Sequence, residues 1–212
     1  MARNSNETRR RLVEAADKLF YGQGIQAVGV DAVAQAAGVT KRTLYYHFKS
    51  KDDLIAAYLD ARDLPTLGRY QGVVAQDVSN GPAAPAAEQI ARIFAQMEAN
   101  ARNKEWKGCS FVRAASEFAA LVGHPARVAA AKHKKRFEDW LLELLRAEGV
   151  EDAAMLARQI MILFDGAVTQ ILIHRDTSYA RSAGAAAQSL LRAYQKANPP
   201  RPSPRKPASR RA

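Results

Sequence analysis

Apolar residues return along this chain at the spacing of an α-helix. Leu12, Ala15, Ala16, Leu19 and Phe20 fall at i, i+3, i+4, i+7 and i+8 and form one stripe, and Val30, Val33, Ala34 and Ala37 do the same over a shorter stretch. Ser50 with Asp53 reads as a capping box with Asp in place of the usual Glu, opening a helix through Leu54, Ile55 and Tyr58. Pro65 is expected to kink or break that helix. Residues 78–82, Val-Ser-Asn-Gly-Pro, mark an internal loop. Further helices are expected near 85–103, 109–121, 125–148, 151–174 and 180–196, with Pro125 in a first turn and Gly149 as a stop. Period-two alternation and Asn-Gly or Asp-Gly hairpin turns are absent, so the fold class is all-α.

Residues 30–48 carry the sharpest local signal. A short amphipathic helix ends at Gly38, the residue that most easily turns left-handed at a helix terminus. Val39 is apolar in the turn, and Thr40 is a suitable N-cap for the helix after it. Two short helices joined by a tight glycine turn make a helix-turn-helix, whose second helix enters the DNA major groove. At about 100° per residue, Leu44 and Phe48 share the inward face. Arg42, Thr43 and Tyr46 centre on the opposite face, with Tyr45 and His47 on its flanks. Arg42 suits a bidentate contact to guanine and Thr43 a thymine methyl, while Lys51 adds a cation at the next helix start.

Charge strengthens this reading only slightly. The formal net charge is +11, but residues 1–55 hold nine Lys or Arg against six Asp or Glu. That mixture is built to place contacts rather than to coat a polyanion, which disfavours a non-specific basic nucleic-acid binder. Arg9, Arg10 and Arg11 suit either a solvated face or phosphate contacts. Residues 198–212 hold five Arg or Lys, five Pro and no acid, and are expected to be a disordered basic tail.

Enzyme signatures are missing: no Gly-rich phosphate loop, no Gly-x-Ser-x-Gly elbow and no paired His or Cys. Glu117, Asp165 and His174 are the acids and base from which a site would have to be assembled. The single cysteine, Cys109, excludes an internal disulfide and suits a packing residue or a redox-sensitive thiol. His47, His124, His133 and His174 show no metal-ligand spacing, so no metal and no cofactor is expected. With no signal-peptide pattern at the start and no obvious membrane-crossing run, a cytoplasmic protein without a membrane partner is expected.

Residues 9–55 resemble the DNA-binding head of the tetracycline-repressor (TetR) family. The residues that carry the likeness are Ala15-Ala16, Leu19-Phe20, Gly24, Val33-Ala34, Ala37-Gly38-Val39, Thr43-Leu44-Tyr45, His47-Phe48, Lys51 and Leu54. The resemblance implies a homodimer of about nine helices per chain. Residues 1–50 would be the DNA-binding domain and residues 51–197 the effector-binding and dimerisation body. It also implies a repressor released from DNA by a small molecule; a ligand-independent or activating regulator is the alternative. Family DNA contacts carry over to Thr40, Lys41, Thr43, Tyr45, Tyr46, His47 and Lys51, to which the helical face adds Arg42. Two positions depart from the family pattern. Val28-Gly29 replaces a Thr-Ser pair that caps the second helix, leaving Asp31 as a partial cap, and Arg42 stands where a small residue is usual.

In the body, Gly108-Cys109-Ser110-Phe111, Glu117-Phe118 and His124-Pro125 resemble the effector domain of a subset of the family. Phe94 and Met161, together with the candidate ligand contacts Met97, Trp106, Phe111, Phe118, Phe137, Trp140 and Phe164, supply an apolar lining. Leu163, Ala167, Gln170, Ile171 and His174 form one stripe, and Ala183, Ala187, Leu190 and Tyr194 another. Both suit either packing inside one chain or a twofold four-helix bundle that reads a near-palindromic operator. A ligand in the body would shift the connecting helix between Asp52 and Pro65 and so respace the two recognition helices.

Overall fold

Nine α-helices and no strand make up residues 2–75 and 84–197, the part of the chain that the computed structural model describes. The head holds α1 (Ala2–Gln23), α2 (Val30–Ala36) and α3 (Lys41–His47), and α4 (Lys51–Ala75) leads out of it. The body adds α5 (Ala86–Ala101), α6 (Ser110–Glu117), α7 (Pro125–Ala147), α8 (Ala153–His174) and α9 (Ser178–Ala197). The expected loop at 78–82 and the expected tail at 198–212 lie outside the described residues.

Local chemistry explains most boundaries. Gly38 has φ +64°, and the N–H groups of Gly38 and Val39 bond to the carbonyls of Gln35 and Ala34, closing α2 in a Schellman motif. The Ser50 hydroxyl accepts from the Asp53 N–H at 3.1 Å, which supplies the N-cap half of the expected capping box. His124 Nδ1 accepts from the Ala126 N–H at 3.1 Å and caps α7, with Pro125 in its first turn. Gly149, at φ +74°, follows the end of α7.

Three expectations need correction. The helix after Ser50 does not break at Pro65 but continues to Ala75. Proline deletes one backbone hydrogen bond and crowds the preceding turn, yet buried Tyr58 and Leu59 before it and Leu67 and Tyr70 after it anchor both halves, while Pro65 itself faces solvent. The helix after Cys109 stops at Glu117 rather than near Leu121, because bonds from Ala119 to Ser116 and from Leu121 to Phe118 tighten the chain into turns. The expectation of no membrane-crossing run also gives way, since the α8 helix is long and apolar enough to cross a membrane by length and composition. It nevertheless carries Arg158 and Asp165, and it buries Leu156, Ile160, Phe164, Val168 and Ile171 within the protein.

Two hydrophobic cores result. The first gathers Leu12, Phe20, Val33, Leu44, Phe48, Leu54 and Tyr58 from the first four helices, and is completed by Phe111, Ala114, Phe118, Ala126 and Ala130 from α6 and α7. The second joins the far half of α4 to α5, α7, α8 and α9 around Tyr70, Phe94, Phe137 and Phe164. Inside the body, the buried Glu98 carboxylate accepts from Arg102 and from Arg181, fastening α5 to α9.

Replacing Pro65 by Ala restores a backbone donor in an exposed helical position. Pro65→Ala is therefore expected to stabilise the protein by about 1–3 kcal/mol, read as a rise in melting temperature by calorimetry. A fall would mean that α4 depends on the proline geometry.

Candidate nucleic-acid interface and effector cavity

The recognition helix shows its two faces clearly. Leu44 and Phe48 are 0% and 3% exposed and anchor α3 to the head core, whereas Tyr46 is 81% and Tyr45 43% exposed. Arg42 is exposed and has no carboxylate partner among the described residues. Tyr46 meets the half-buried His47 edge-on at 5.2 Å. Thr40 caps the helix by accepting from the Thr43 N–H at 3.1 Å, and the two hydroxyls lie 2.8 Å apart. Thr43 is thus half-buried and locally bonded at the side of the helix, not central to its outer face. Lys41 pairs with Asp31 at 3.0 Å, and this bond holds its ammonium above the ordinary lysine value. Asp31 accordingly does not cap α2: Gly29 occupies the cap position and no side chain bonds there. Lys51 is half-buried, 6.0 Å from the Phe20 ring, and burial lowers its pKa despite nearby Glu117 and Asp52.

The arginines of α1 are engaged within the chain. Arg9 lies over the Phe48 ring at 4.9 Å, Arg10 pairs with Glu7 and Glu14, and Arg11 donates to the Ala37 carbonyl at the end of α2. Arg11 and Arg9 thereby brace the helix-turn-helix from behind.

The body encloses a cavity of about 80 Å³. Met97, Trp106, Phe111, Phe137 and Phe164 line it, whereas Phe118 and Trp140 do not. Phe118 instead stacks on His124 at 3.8 Å in the head core, and Trp140 packs edge-on against the outer side of the Phe137 cluster. Phe94 and Met161 are buried core residues away from the space. Helical spacing reveals that such residues are inward, but not which neighbour each will meet. Sequence reading missed Tyr21, Arg62, Arg69, Tyr70, His133 and Lys134, which also line the cavity. The spacing of Arg62, Thr66, Arg69 and Tyr70 on one face of α4 was the available signal.

The polar side of the cavity is a network. His133 stacks on Phe111 at 3.7 Å and its Nδ1 lies 2.8 Å from the buried Asp63, which also accepts from Arg136. Burial pushes the Tyr70 phenol up to about 12, so it is protonated at neutral pH, and it accepts from the Asn100 amide at 3.4 Å. Although burial opposes its charge, Lys134 is held above the ordinary lysine value by Cys109 and Asp165 beside it. Cys109 is half-buried at the cavity wall and precedes α6 without capping it through its side chain.

Tyr21 ties this cavity to the head. Its hydroxyl donates to the Gly108 carbonyl at 3.2 Å and accepts from the Lys107 N–H at 2.8 Å, while its carbonyl accepts from Arg113 at 2.8 Å. Glu117 accepts from the N–H groups of Ile25 and Gln26 at 3.1 and 2.8 Å, closing the turn after α1. Arg62 pairs with Asp17 at 2.8 Å and covers the Tyr21 ring at 4.4 Å. The three residues that might have built an enzymatic site are separated by these duties: Glu117 serves the turn, Asp165 pairs with Lys134, and His174 stacks on Tyr179. Among the described residues no cluster of His, Cys, Asp or Glu is arranged to hold a metal.

The profile of bacterial regulatory proteins of the tetR family matches residues 12–58, and that of the LmrA/YxaF-like transcriptional regulator C-terminal domain matches residues 86–186. A TetR-family transcriptional regulator from Streptomyces coelicolor is 31% identical with a TM-score of 0.75, over 89% of this chain and 96% of that one. A TetR-type regulator from Streptomyces avermitilis is 30% identical with a TM-score of 0.74, over 90% and 97%. Likeness to the curated regulator TtgR of Pseudomonas putida is confined to 57 residues at 39% identity, 27% of each chain.

Burial lowers the His133 pKa, the Asp63 hydrogen bond opposing it only in part. Its contribution to stability is therefore present above the unfolded value of about 6.5 and is lost as pH falls through the lower folded value. Melting temperature is expected to drop between about pH 7 and pH 5. His133→Gln should lower it at pH 7 and narrow its gap to the parent at pH 5. An equal gap at both values would exclude His133 as the titrating group.

Proposed function

Because the chain belongs to the TetR family of DNA-binding transcriptional regulators rather than to an enzyme family, we propose that it is a repressor. In this reading it grips a near-palindromic operator as a homodimer and lets go when a small molecule occupies the body cavity. The observation that carries the reading is Tyr21, whose hydroxyl bonds to the cavity wall while its helix forms the back of the recognition head. A ligand that rearranges this wall acts on α1 and α4 directly. Such coupling requires only that the ligand prefer one of two arrangements.

Tyr46 and Arg42 on the outer face of α3, flanked by Tyr45 and His47, are the proposed base and backbone contacts. Lys41 and Lys51 supply cations beside them, and Thr40 and Thr43 chiefly fix the helix end. A regulator must work where its operator DNA lies, so the cytoplasm is the proposed location.

The two stripes suited to pairing face inward only in part, since Gln170 and His174 of the first are exposed. Ala167, Ile171 and Ala187 are buried within the chain, and Leu163, Ala183, Leu190 and Tyr194 lean on the same core. The outward face of α8 instead carries Met155, Ile162 and Ile173, at 55%, 66% and 62% exposure, with Gly166 and Thr169 between them. The α9 helix, packed along α8, exposes the small residues Ser182, Ala185, Ala186 and Ser189. An exposed apolar stripe beside a small-residue face favours close approach of a second copy.

Fluorescence anisotropy on the DNA upstream of its own coding sequence, against a scrambled duplex across a salt series, tests the reading. Two chains per duplex, sequence preference and a steep fall with salt are expected. Tyr46→Ala should cost about 1–3 kcal/mol of specific affinity with an unchanged melting temperature. Ile162→Glu should give a folded monomer that binds the operator weakly. Equal affinity for both duplexes in the parent, together with normal binding to a selected site by Tyr46→Ala, would overturn the assignment of α3.

A further inference from the structure

One face of α4 presents Arg62, Thr66, Arg69 and Tyr70 to the cavity, and Lys134 joins them from α7. No Asp or Glu is among the lining residues. Two of the three cations already have carboxylates behind them: Asp17 holds Arg62 at 2.8 Å and Asp165 holds Lys134. Arg69 has no carboxylate partner among the described residues, and it borders both the cavity and a surface depression that meets it at Tyr21, Asn100 and Trp106. Tyr70 joins that face to a cluster of rings from α7 and α8, lying edge-on to Phe137 at 5.4 Å and to Phe164 at 5.3 Å.

We propose that the cavity takes a small aromatic anion, a one-ring carboxylate or acidic phenol, with its ring against Tyr70, Phe137 and Phe164 and its charge on Arg69 and Arg62. A planar anion suits guanidinium groups because they offer paired donors in a fixed fork. A buried acid would repel it, and the lining has none. Size sets the upper limit. At about 80 Å³ the space is smaller than the ~150 Å³ cavity that admits benzene, so even one ring must displace side chains where Trp106 and Arg69 meet the surface. Arg62 gives the binding a consequence for the head. An anion accepted by Arg62 competes with Asp17 of α1 and unseats the guanidinium from the Tyr21 ring. This inference rests on the ligand-released reading above for its regulatory meaning, but not for the binding itself.

The test uses the full chain with benzoate, 4-hydroxybenzoate, the near-isosteric benzamide, and benzylamine. Binding is followed by calorimetry and tryptophan fluorescence, and operator occupancy by anisotropy. The acids are expected to bind at least about tenfold tighter than benzamide, and Arg69→Gln, checked for folding by circular dichroism, should remove most of that preference. Benzamide or benzylamine binding as tightly, failure of either acid to bind at millimolar concentration, or acid binding unchanged in both Arg69→Gln and Arg62→Gln would overturn the proposal. Acid binding with the operator still held would keep this ligand class and overturn ligand-driven release. Release by neutral rings alone would do the reverse.

Discussion

The end of α1 cannot satisfy its own polar groups, and that constraint organises the protein. Past Phe20 the helix carbonyls run out of intrahelical donors, as at every helix C-terminus, and the body supplies one in Arg113 together with partners for the Tyr21 hydroxyl and for the turn that follows. Gly108, Lys107 and Arg113 serve Tyr21, and the Glu117 carboxylate collects the N–H groups of Ile25 and Gln26. The position and tilt of α1 are thereby fixed by α6 and the segment before it. Since α1 also supplies Leu12, Ala16 and Phe20 to the core on which α2 and α3 sit, the recognition helix inherits its placement from the same bonds.

The α4 helix carries the second half of this arrangement. Its first turns belong to the head core through Leu54, Ile55 and Tyr58, and its later turns to the body core through Leu67 and Tyr70. Between them, buried Asp63 is held by His133 and Arg136, so α4 is pinned to α7 where it passes the cavity. Removing one member of such a buried network leaves the others without partners, which costs more than the bond itself contributes. A binding event here meets a few strong polar links rather than a diffuse apolar contact. That favours switching between discrete arrangements over gradual deformation.

Reading the head from sequence worked well because its signals are local. Gly38, Thr40 and Ser50 act within a few residues of themselves, and the burial of Leu44 and Phe48 follows from two positions four apart on one helix. The cavity was legible only in part. Five of the seven apolar candidates border it, while Phe118 and Trp140 turn toward other neighbours. Its charged residues were overlooked because Arg62, Arg69 and Lys134 look like ordinary solvated positions on long helices. Asp31 does not make good the cap that Val28-Gly29 lacks, since Lys41 ten residues later claims that carboxylate.

By itself the sequence determined an all-helical chain, the helix-turn-helix, most helix ends and the two sides of α3, all of which depend on periodicity and on capping within one or two turns. Tertiary structure decided which face of an apolar helix is inward. The apolar stripe of α8 suited either packing inside the chain or a partner, and only packing against α5, α7 and α9 put Ala167 and Ile171 in the core and left Ile162 and Ile173 outside. It likewise decided that α4 survives Pro65, because anchoring on both sides outweighs one missing hydrogen bond. Contacts such as Tyr21 to Gly108 join residues 87 apart in the chain, and no local rule reaches that far: they exist only once the cores have brought the helices together.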